Sequence, residues 1–136
     1  MFSSSTQIRI HYALTDQMGV VYYGNYAQFF EIARTEAIRQ LGLTYKELED
    51  MGILMPVSDM HIHYRKPVRY DELITVTVML KEMPSGKRIT FYGEVLNEAG
   101  ERCTTSDITL YFVDARTMKP VPMPAALEAL LQPFFQ

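Results

Sequence analysis

The chain has 136 residues, of which 48 % are hydrophobic and 21 % are charged. This size and balance predict a single globular domain, residues 1–136, and exclude a disordered chain. The net charge of -3 at pH 7 offers no positive surface for a polyanion, so a nucleic-acid partner is not expected.

The cysteine content and the hydropathy pattern indicate where the protein works. Cys103 is the only cysteine, which excludes an intrachain disulfide and favours a reducing, cytoplasmic location. The residues that follow Met1 lack the charged and apolar segments of a secretion signal. No apolar run approaches the roughly 20 residues that a bilayer crossing requires, so no membrane association is expected.

The first elements predicted along the chain are a strand and a loop. Residues 7–13 alternate in polarity, with Tyr12 on the apolar side, as in a half-buried strand. Residues 14–25 interrupt this alternation, and Gly19 and Gly24 mark a structured loop.

A long helix is predicted from Tyr26 to Leu41. Asn25 precedes it as a residue favoured at N-caps, and Gly42 follows it as a typical C-terminal stop. The apolar stripe of the helix is wide enough to predict deep burial. Its members are Tyr26, Phe29, Phe30, Ile32, Ala33, Ala37, Ile38 and Leu41. A second, short helix is expected from Thr44, with Glu47 completing a capping box, to near Gly52.

The rest of the chain predicts strands. Clusters of turn residues at 84–86 and 97–100 separate strands at hairpin spacing, which indicates an antiparallel meander. The expected fold is α+β, with one curved five-stranded antiparallel sheet wrapped around the long central helix. Its edge strands are suited to pairing across a two-fold dimer axis. The alternating segments are 59–65, 74–80, 89–95 and 107–112, and a last short helix is expected over 124–131.

One stretch of the chain carries a family motif. The string Asp-x-x-Gly-Val-Val-Tyr-x-x-Asn-Tyr over residues 16–26 is followed by Phe29-Phe30-Glu31 and Arg34. It closely resembles the signature of the hotdog-fold acyl-CoA thioesterases of the 4-hydroxybenzoyl-CoA thioesterase type, and the likeness extends over nearly the whole chain. The resemblance implies hydrolysis of an acyl-CoA thioester without a metal or organic cofactor. It also implies a homodimer or homotetramer with the active site between subunits.

The resemblance assigns roles to residues of the motif. Asp16 matches the catalytic carboxylate, which attacks the thioester carbonyl or deprotonates a water molecule. Tyr23 matches the residue whose backbone N–H faces that carbonyl. Many relatives have histidine at this position, but tyrosine has the same main-chain amide and can make the same contact. Beside them, Gly24, Asn25 and Tyr26 are expected to contact substrate at the helix start, and Arg65, Lys66 and Arg88 to meet the phosphates of coenzyme A.

Plainer interpretations apply to some of these residues. Asp16 can simply cap a turn, as loop aspartates commonly do. Glu31 and Arg34 lie three residues apart on the helix, and we expect them to form an ion pair with each other rather than to act in catalysis. Cys103 has no histidine at a recognisable triad spacing and is interpreted as a strand residue.

Other classes of function also fit parts of the sequence. Asp59, His61 and His63 have a spacing that can place two imidazoles on one metal, but nothing indicates a further ligand and no metal site is expected. An acyl-carrier-protein thioesterase and a non-catalytic acyl-CoA-binding protein remain alternatives. A hydratase would need a histidine with an acidic partner in the motif region, which has none.

Overall fold

The computed structural model describes all residues, 1–136. Three 3₁₀ turns, Tyr12–Leu14, Tyr23–Asn25 and Gln132–Phe134, accompany the regular elements. In chain order these elements are β1 (Phe2–Arg9), α1 (Tyr26–Leu41), α2 (Tyr45–Asp50), β2 (Ile53–Leu54), β3 (Val57–Tyr64), β4 (Leu73–Leu80), β5 (Arg88–Leu96), β6 (Arg102–Tyr111), β7 (Val113–Asp114) and α3 (Ala125–Leu131). None of the helices combines the length and apolar character that a membrane crossing requires.

Five strands form one antiparallel sheet in the order β1-β4-β5-β6-β3, which confirms the predicted α+β fold. The meander is limited to β4, β5 and β6, and the prediction that β3 precedes them within it is wrong. β3 pairs with β6 at the far edge because no tight turn links it to β4. Instead residues 65–72 connect the edge strand β3 to β4, which lies next to β1. This segment contacts the loop that precedes α1 through a β-bridge between Val20 and Arg69.

The first strand lies earlier in the chain than its polarity predicts. β1 pairs with β4 from Phe2 opposite Leu80 to Arg9 opposite Leu73. The run of Ser and Thr after Phe2 lacks apolar alternation, yet its backbone completes the sheet edge. The expected strand over residues 10–13 is wrong, because Tyr12 begins a 3₁₀ turn and its side chain is 79 % exposed.

The long helix has the predicted bounds, and Gly42 ends it in the left-handed conformation with a φ of 103°. Ala33 and Ala37 are fully buried, so α1 approaches the sheet closely. Gly93 of β5 permits this approach, because a Cβ atom there would lie 2.8 Å from the ring of Phe30. The predicted stripe is too wide by one residue, since Ile32 is 37 % exposed.

The two short helices complete the layer that covers the sheet. Thr44 caps α2 as predicted, because its Oγ1 accepts a 3.0 Å hydrogen bond from the Glu47 N–H. Leu127 and Leu131 of α3 are fully buried. Both join one core cluster of 25 buried residues that includes the inner faces of α1 and the sheet.

Candidate active site

A cavity of about 310 Å³ opens where the loop before α1, the start of α1 and the end of β3 meet. The residues that line it include five predicted from the sequence, which are Asp16, Tyr23, Tyr26, Arg65 and Lys66. Met18, Val20, Val21, Tyr64 and Pro67 complete the lining and give it a largely apolar wall. The structure therefore brings the proposed carboxylate, the helix start and two basic residues to one place.

The loop holds Asp16 at the tip of a tight hairpin. Thr15 and Val21 form an antiparallel bridge, and the Asp16 N–H donates to the Val20 carbonyl at 2.9 Å. Gly19 closes the turn with a φ of 76°, a conformation that favours glycine. Because Val21 also donates to the Val68 carbonyl at 2.8 Å, the hairpin is fixed to the crossing segment.

The Asp16 carboxylate uses its two oxygens differently. Oδ1 accepts a 2.8 Å hydrogen bond from the Met18 N–H, so the turn-capping interpretation is correct for this atom. Oδ2 has no hydrogen-bond partner, and the side chain is half-buried at the cavity. One oxygen therefore orients the group and the other is available for chemistry.

The start of α1 supplies free amide groups near this carboxylate. A 3₁₀ turn, Tyr23–Asn25, leads into the helix, and the N–H groups of Tyr23 and Gly24 have no acceptor in the chain. The Asn25 N–H donates instead to the Tyr22 carbonyl at 2.9 Å. Free amides at a helix N-terminus favour negative charge, so this end of the cavity suits a developing oxyanion.

Asn25 and Gly24 are placed differently from their predicted roles. Asn25 has helical backbone angles, and its side chain makes no cap hydrogen bond to the helix. Its Nδ2 donates to the Leu14 carbonyl at 2.9 Å, which ties the helix start to the preceding 3₁₀ turn. A Cβ on Gly24 would lie 2.7 Å from Cε2 of Tyr22, so the glycine makes room for that ring. Neither residue lines the cavity.

Tyrosine rings form the other wall of the cavity. The Tyr64 hydroxyl donates to the Tyr23 carbonyl at 3.1 Å, and its ring packs edge-on against Tyr26 with centroids 5.3 Å apart. Burial raises the pKa of the Tyr26 hydroxyl, so this ring stays neutral. Tyr64 is a residue of this site that was not predicted from the sequence. Its alternation with Met60 and Ile62 on the apolar side of β3 was the signal that places it on the helix side.

The three basic residues predicted to bind phosphate differ in their surroundings. Arg65 is exposed at the cavity and belongs to no ion pair. Lys66 is paired with Glu101, which raises the lysine pKa and lowers the pKa of the glutamate. Arg88 lies at the opposite end of the sheet, beside a separate cavity of about 180 Å³, so a single chain does not bring it to the site. Arg65 is thus the freest cation at the cavity.

The structure also places the residues of the remaining sequence-based interpretations. The expected ion pair between Glu31 and Arg34 is absent, because Arg34 is buried and Glu31 points to solvent. No group of three or more His, Cys, Asp or Glu side chains lies together as a metal site would require. Cys103 is a buried strand residue, and burial raises the pKa of its thiol, which disfavours the nucleophilic thiolate.

Residues 10–131 match the family model described as the thioesterase-like superfamily. Among curated proteins, the chain is 36 % identical to the "putative acyl-CoA thioesterase YneP" of Bacillus subtilis, and the match covers 89 % of this chain and 87 % of the relative. It is 28 % identical to the acyl-CoA thioester hydrolase YbgC of Escherichia coli O6:H1, and this match covers 90 % of this chain and 90 % of the relative.

Solved structures show the same likeness. A DHNA-CoA thioesterase from Staphylococcus aureus superposes with a TM-score of 0.85 at 40 % sequence identity. The superposition covers 89 % of this chain and 80 % of that structure. The family, the fold and the length of the relatives therefore agree with the arrangement described above.

Proposed function

This chain belongs to the thioesterase-like superfamily, and we propose that it hydrolyses the thioester of an acyl-coenzyme A to a free acid and coenzyme A. The observation that carries the proposal is that Asp16, with a free carboxylate oxygen, and Tyr23, with a free backbone N–H at the start of α1, line one cavity. Relatives that span nearly the same length are named acyl-CoA thioesterases and support this activity.

Asp16 begins the reaction with its free oxygen. In one route Oδ2 takes a proton from a water molecule, whose oxygen adds to the thioester carbon. In the other route Oδ2 adds directly, and water then hydrolyses the resulting anhydride. Both routes convert the carbonyl oxygen into an oxyanion and expel the thiolate of coenzyme A, which finally takes up a proton.

The oxyanion is stabilised by the free N–H groups of Tyr23 and Gly24 together with the dipole of α1. The Tyr64 hydroxyl acts as a positioning group, because its bond to the Tyr23 carbonyl fixes the neighbouring peptide. The tyrosine side chain at residue 23 is 64 % exposed and takes no part in this stabilisation. Of residues 24–26, the Gly24 N–H and the ring of Tyr26 contact the substrate in this proposal. Asn25 does not, because its N–H and its side chain both donate within the chain.

The phosphates of coenzyme A lie at the rim of the cavity in this proposal. Arg65 is free to bind them, whereas Lys66 must first leave Glu101. Since Arg88 sits at the other end of the sheet, it meets coenzyme A only if another subunit brings it there.

The active enzyme is a homo-oligomer with its site at a subunit boundary. β3 is an edge strand with its outer backbone unpaired, and Val57, Met60 and Tyr64 on it are 43 %, 41 % and 51 % exposed. An apolar edge of this length favours pairing with a second copy. The unpaired, buried Cys103 fits work in the cytoplasm, where thiols stay reduced.

The activity is tested by following thiol release from a panel of acyl-CoA esters, with the same acyl groups on acyl carrier protein measured in parallel. We expect turnover of coenzyme A esters and little turnover of carrier-protein esters. The reverse preference would replace the proposed substrate with the carrier-protein ester. Tight binding of acyl-CoA without any turnover would identify a non-catalytic binder.

A further inference from the structure

One of the two cations at the candidate active site is neutralised by an acidic residue from outside the cavity. Lys66 lines the cavity, and its Nζ pairs with Oε2 of Glu101. Glu101 lies in the turn between β5 and β6 and does not line the cavity. Arg65 lines the same cavity and has no ion pair. The cavity therefore contains two basic residues, but only the charge of Arg65 is uncompensated.

The turn between β5 and β6 holds Glu101 in place. The Glu101 N–H donates to Oδ1 of Asn97 at 2.9 Å, and the Asn97 N–H donates to the Glu101 carbonyl at 2.9 Å. Nδ2 of Asn97 also donates to Oε1 of the carboxylate at 3.1 Å. The bonds from Lys66 and from Asn97 lower the pKa of the Glu101 carboxyl, so the group is ionised at neutral pH. Glu101 is thus a fixed negative charge beside Lys66.

The ion pair is weak enough to exchange with a ligand. The Lys66 N–H donates to the Cys103 carbonyl at 3.1 Å, which fixes the lysine backbone beside β6. The side chains of Lys66 and Glu101 are 53 % and 50 % exposed, and ion pairs at this level of exposure contribute little free energy. An anion at the cavity rim can therefore compete with Glu101 for the lysine.

A cation that binds phosphate affects the product as well as the substrate. Hydrolysis of an acyl-coenzyme A changes only the thioester, so the coenzyme A that remains has the same phosphates. Contacts to these phosphates are equally strong before and after the reaction. Such uniform binding lowers KM without raising kcat, and it tightens the binding of the product by the same factor.

We propose that Glu101 competes with the phosphates of coenzyme A for Lys66 and thereby limits retention of the product. Glu101 is then a specificity-determining residue, although it lies outside the cavity. This inference rests on the proposed thioesterase function and deepens it, because it names the residue that keeps the phosphate contacts weak.

Glu101→Gln tests the inference by removing the charge. Glutamine retains an oxygen acceptor for Nδ2 of Asn97 and the same backbone contacts, so the turn should stay folded. We expect KM for an acyl-CoA ester and the inhibition constant of free coenzyme A each to fall about two- to fivefold, the range of an exposed ion pair, while kcat does not rise. Calorimetric titration with coenzyme A alone should show the same tightening of Kd without turnover.

Three controls separate the effect on Lys66 from a general effect of charge. Glu36→Gln removes an ion pair with Arg39 on α1 and changes the net charge equally, but Glu36 does not line the cavity, so the constants should not change. The double variant of Lys66→Met and Glu101→Gln should have the constants of Lys66→Met. An acyl-pantetheine with the same acyl group has no phosphate, so Glu101→Gln should leave its KM at the wild-type value.

Two results would overturn the inference. An unchanged Kd for coenzyme A in a folded Glu101→Gln protein would show that Glu101 does not compete for Lys66. A higher Kd would show that Glu101 instead holds Lys66 in position for the phosphates. Failure of the wild type to hydrolyse any ester is a different result, because it removes the proposed function itself, whereas the calorimetric titration reports on Glu101 without turnover.

Discussion

At the residue scale, Asp16 combines a structural bond with a free oxygen. The Met18 N–H holds Oδ1, the Val20 carbonyl holds the backbone, and Oδ2 remains without a partner beside the free amides of α1. A carboxylate oriented by one of its oxygens loses little freedom when the other oxygen reacts. Preorganisation of this kind is a large contribution to catalysis in many hydrolases.

Tyr64→Phe tests whether the amide geometry at the helix start matters. Loss of the 3.1 Å hydrogen bond to the Tyr23 carbonyl should lower kcat about fivefold, as expected for one hydrogen bond, with little change in KM. Steady-state thiol release provides both constants. Tyr70→Phe removes a similarly exposed hydroxyl outside the cavity lining and is expected to behave as wild type. Equal kcat values for the two variants would remove Tyr64 from the positioning role.

Arg65→Met and Lys66→Met test which cation binds the phosphates. Arg65 has no ion pair, so its loss should raise KM for acyl-CoA about two- to fivefold, which is the range of an exposed ion pair. Because Lys66 is engaged by Glu101, its loss should change KM less. KM measured at two salt concentrations checks the assignment, since Arg65→Met should also weaken the salt dependence. A larger rise in KM for Lys66→Met than for Arg65→Met would identify Lys66 as the residue that binds the phosphates.

The sequence predicts some of these residues and misses others for physical reasons. Asp16 and Tyr23 follow from a local motif, and the structure places both at the cavity. Tyr64 reaches the site only through tertiary packing, so no local signal assigns its contact with Tyr23. Arg88 is predicted as a phosphate ligand only because it is basic. Its distance from the site depends on the direction of β5, which composition does not encode.

At the element scale, the close contact between α1 and β5 positions the helix that begins at the candidate active site. Phe30 covers Gly93, and the two alanines of α1 allow the helix to lie near the sheet. The bounds of α1 were predictable because its apolar period, its preceding loop and Gly42 agree. The position of β3 in the sheet could not be predicted, because alternating polarity identifies a strand but not its neighbours.

Gly93→Ala tests this contact. Its Cβ would lie 2.8 Å from the buried Phe30 ring and from Ser106 Oγ, so overpacking should lower the free energy of unfolding by about 1–3 kcal/mol. Gly24→Ala is the control, since the Tyr22 ring that its Cβ would meet is 45 % exposed and can turn away. Urea unfolding of both variants gives the comparison. Equal free energies of unfolding for Gly93→Ala and the wild type would show that α1 and β5 are not in close contact at Gly93.

At the scale of the whole molecule, the β3 edge connects assembly to function. Tyr64 lines the candidate active site at one end of the strand, and Val57 lines a separate cavity of about 460 Å³ at the other end. Self-pairing of this strand would cover that edge and complete two equivalent sites. We therefore expect a monomer to retain the Asp16 loop but to have an incomplete site.

Met60→Lys places a charge on this edge and is expected to give a folded monomer with at least about tenfold lower kcat/KM, because inward-facing charges oppose strand pairing. Light scattering after size-exclusion chromatography reports the mass, and thiol release reports activity. Met51→Lys changes a comparably exposed methionine on the α2 side and should leave the oligomer intact. A Met60→Lys oligomer with normal activity would exclude β3 as the interface.

The most direct measurement of the central claim is the kcat of Asp16→Asn beside that of the wild type and of Asp50→Asn. Asparagine keeps an Oδ1 acceptor for the Met18 N–H, so the loop should stay folded while the reactive carboxylate is lost. We predict that kcat falls at least about a hundredfold for Asp16→Asn. Asp50→Asn, changed on an exposed helix, should match the wild type. A folded Asp16→Asn oligomer with wild-type kcat would contradict the assignment of Asp16 as the catalytic carboxylate.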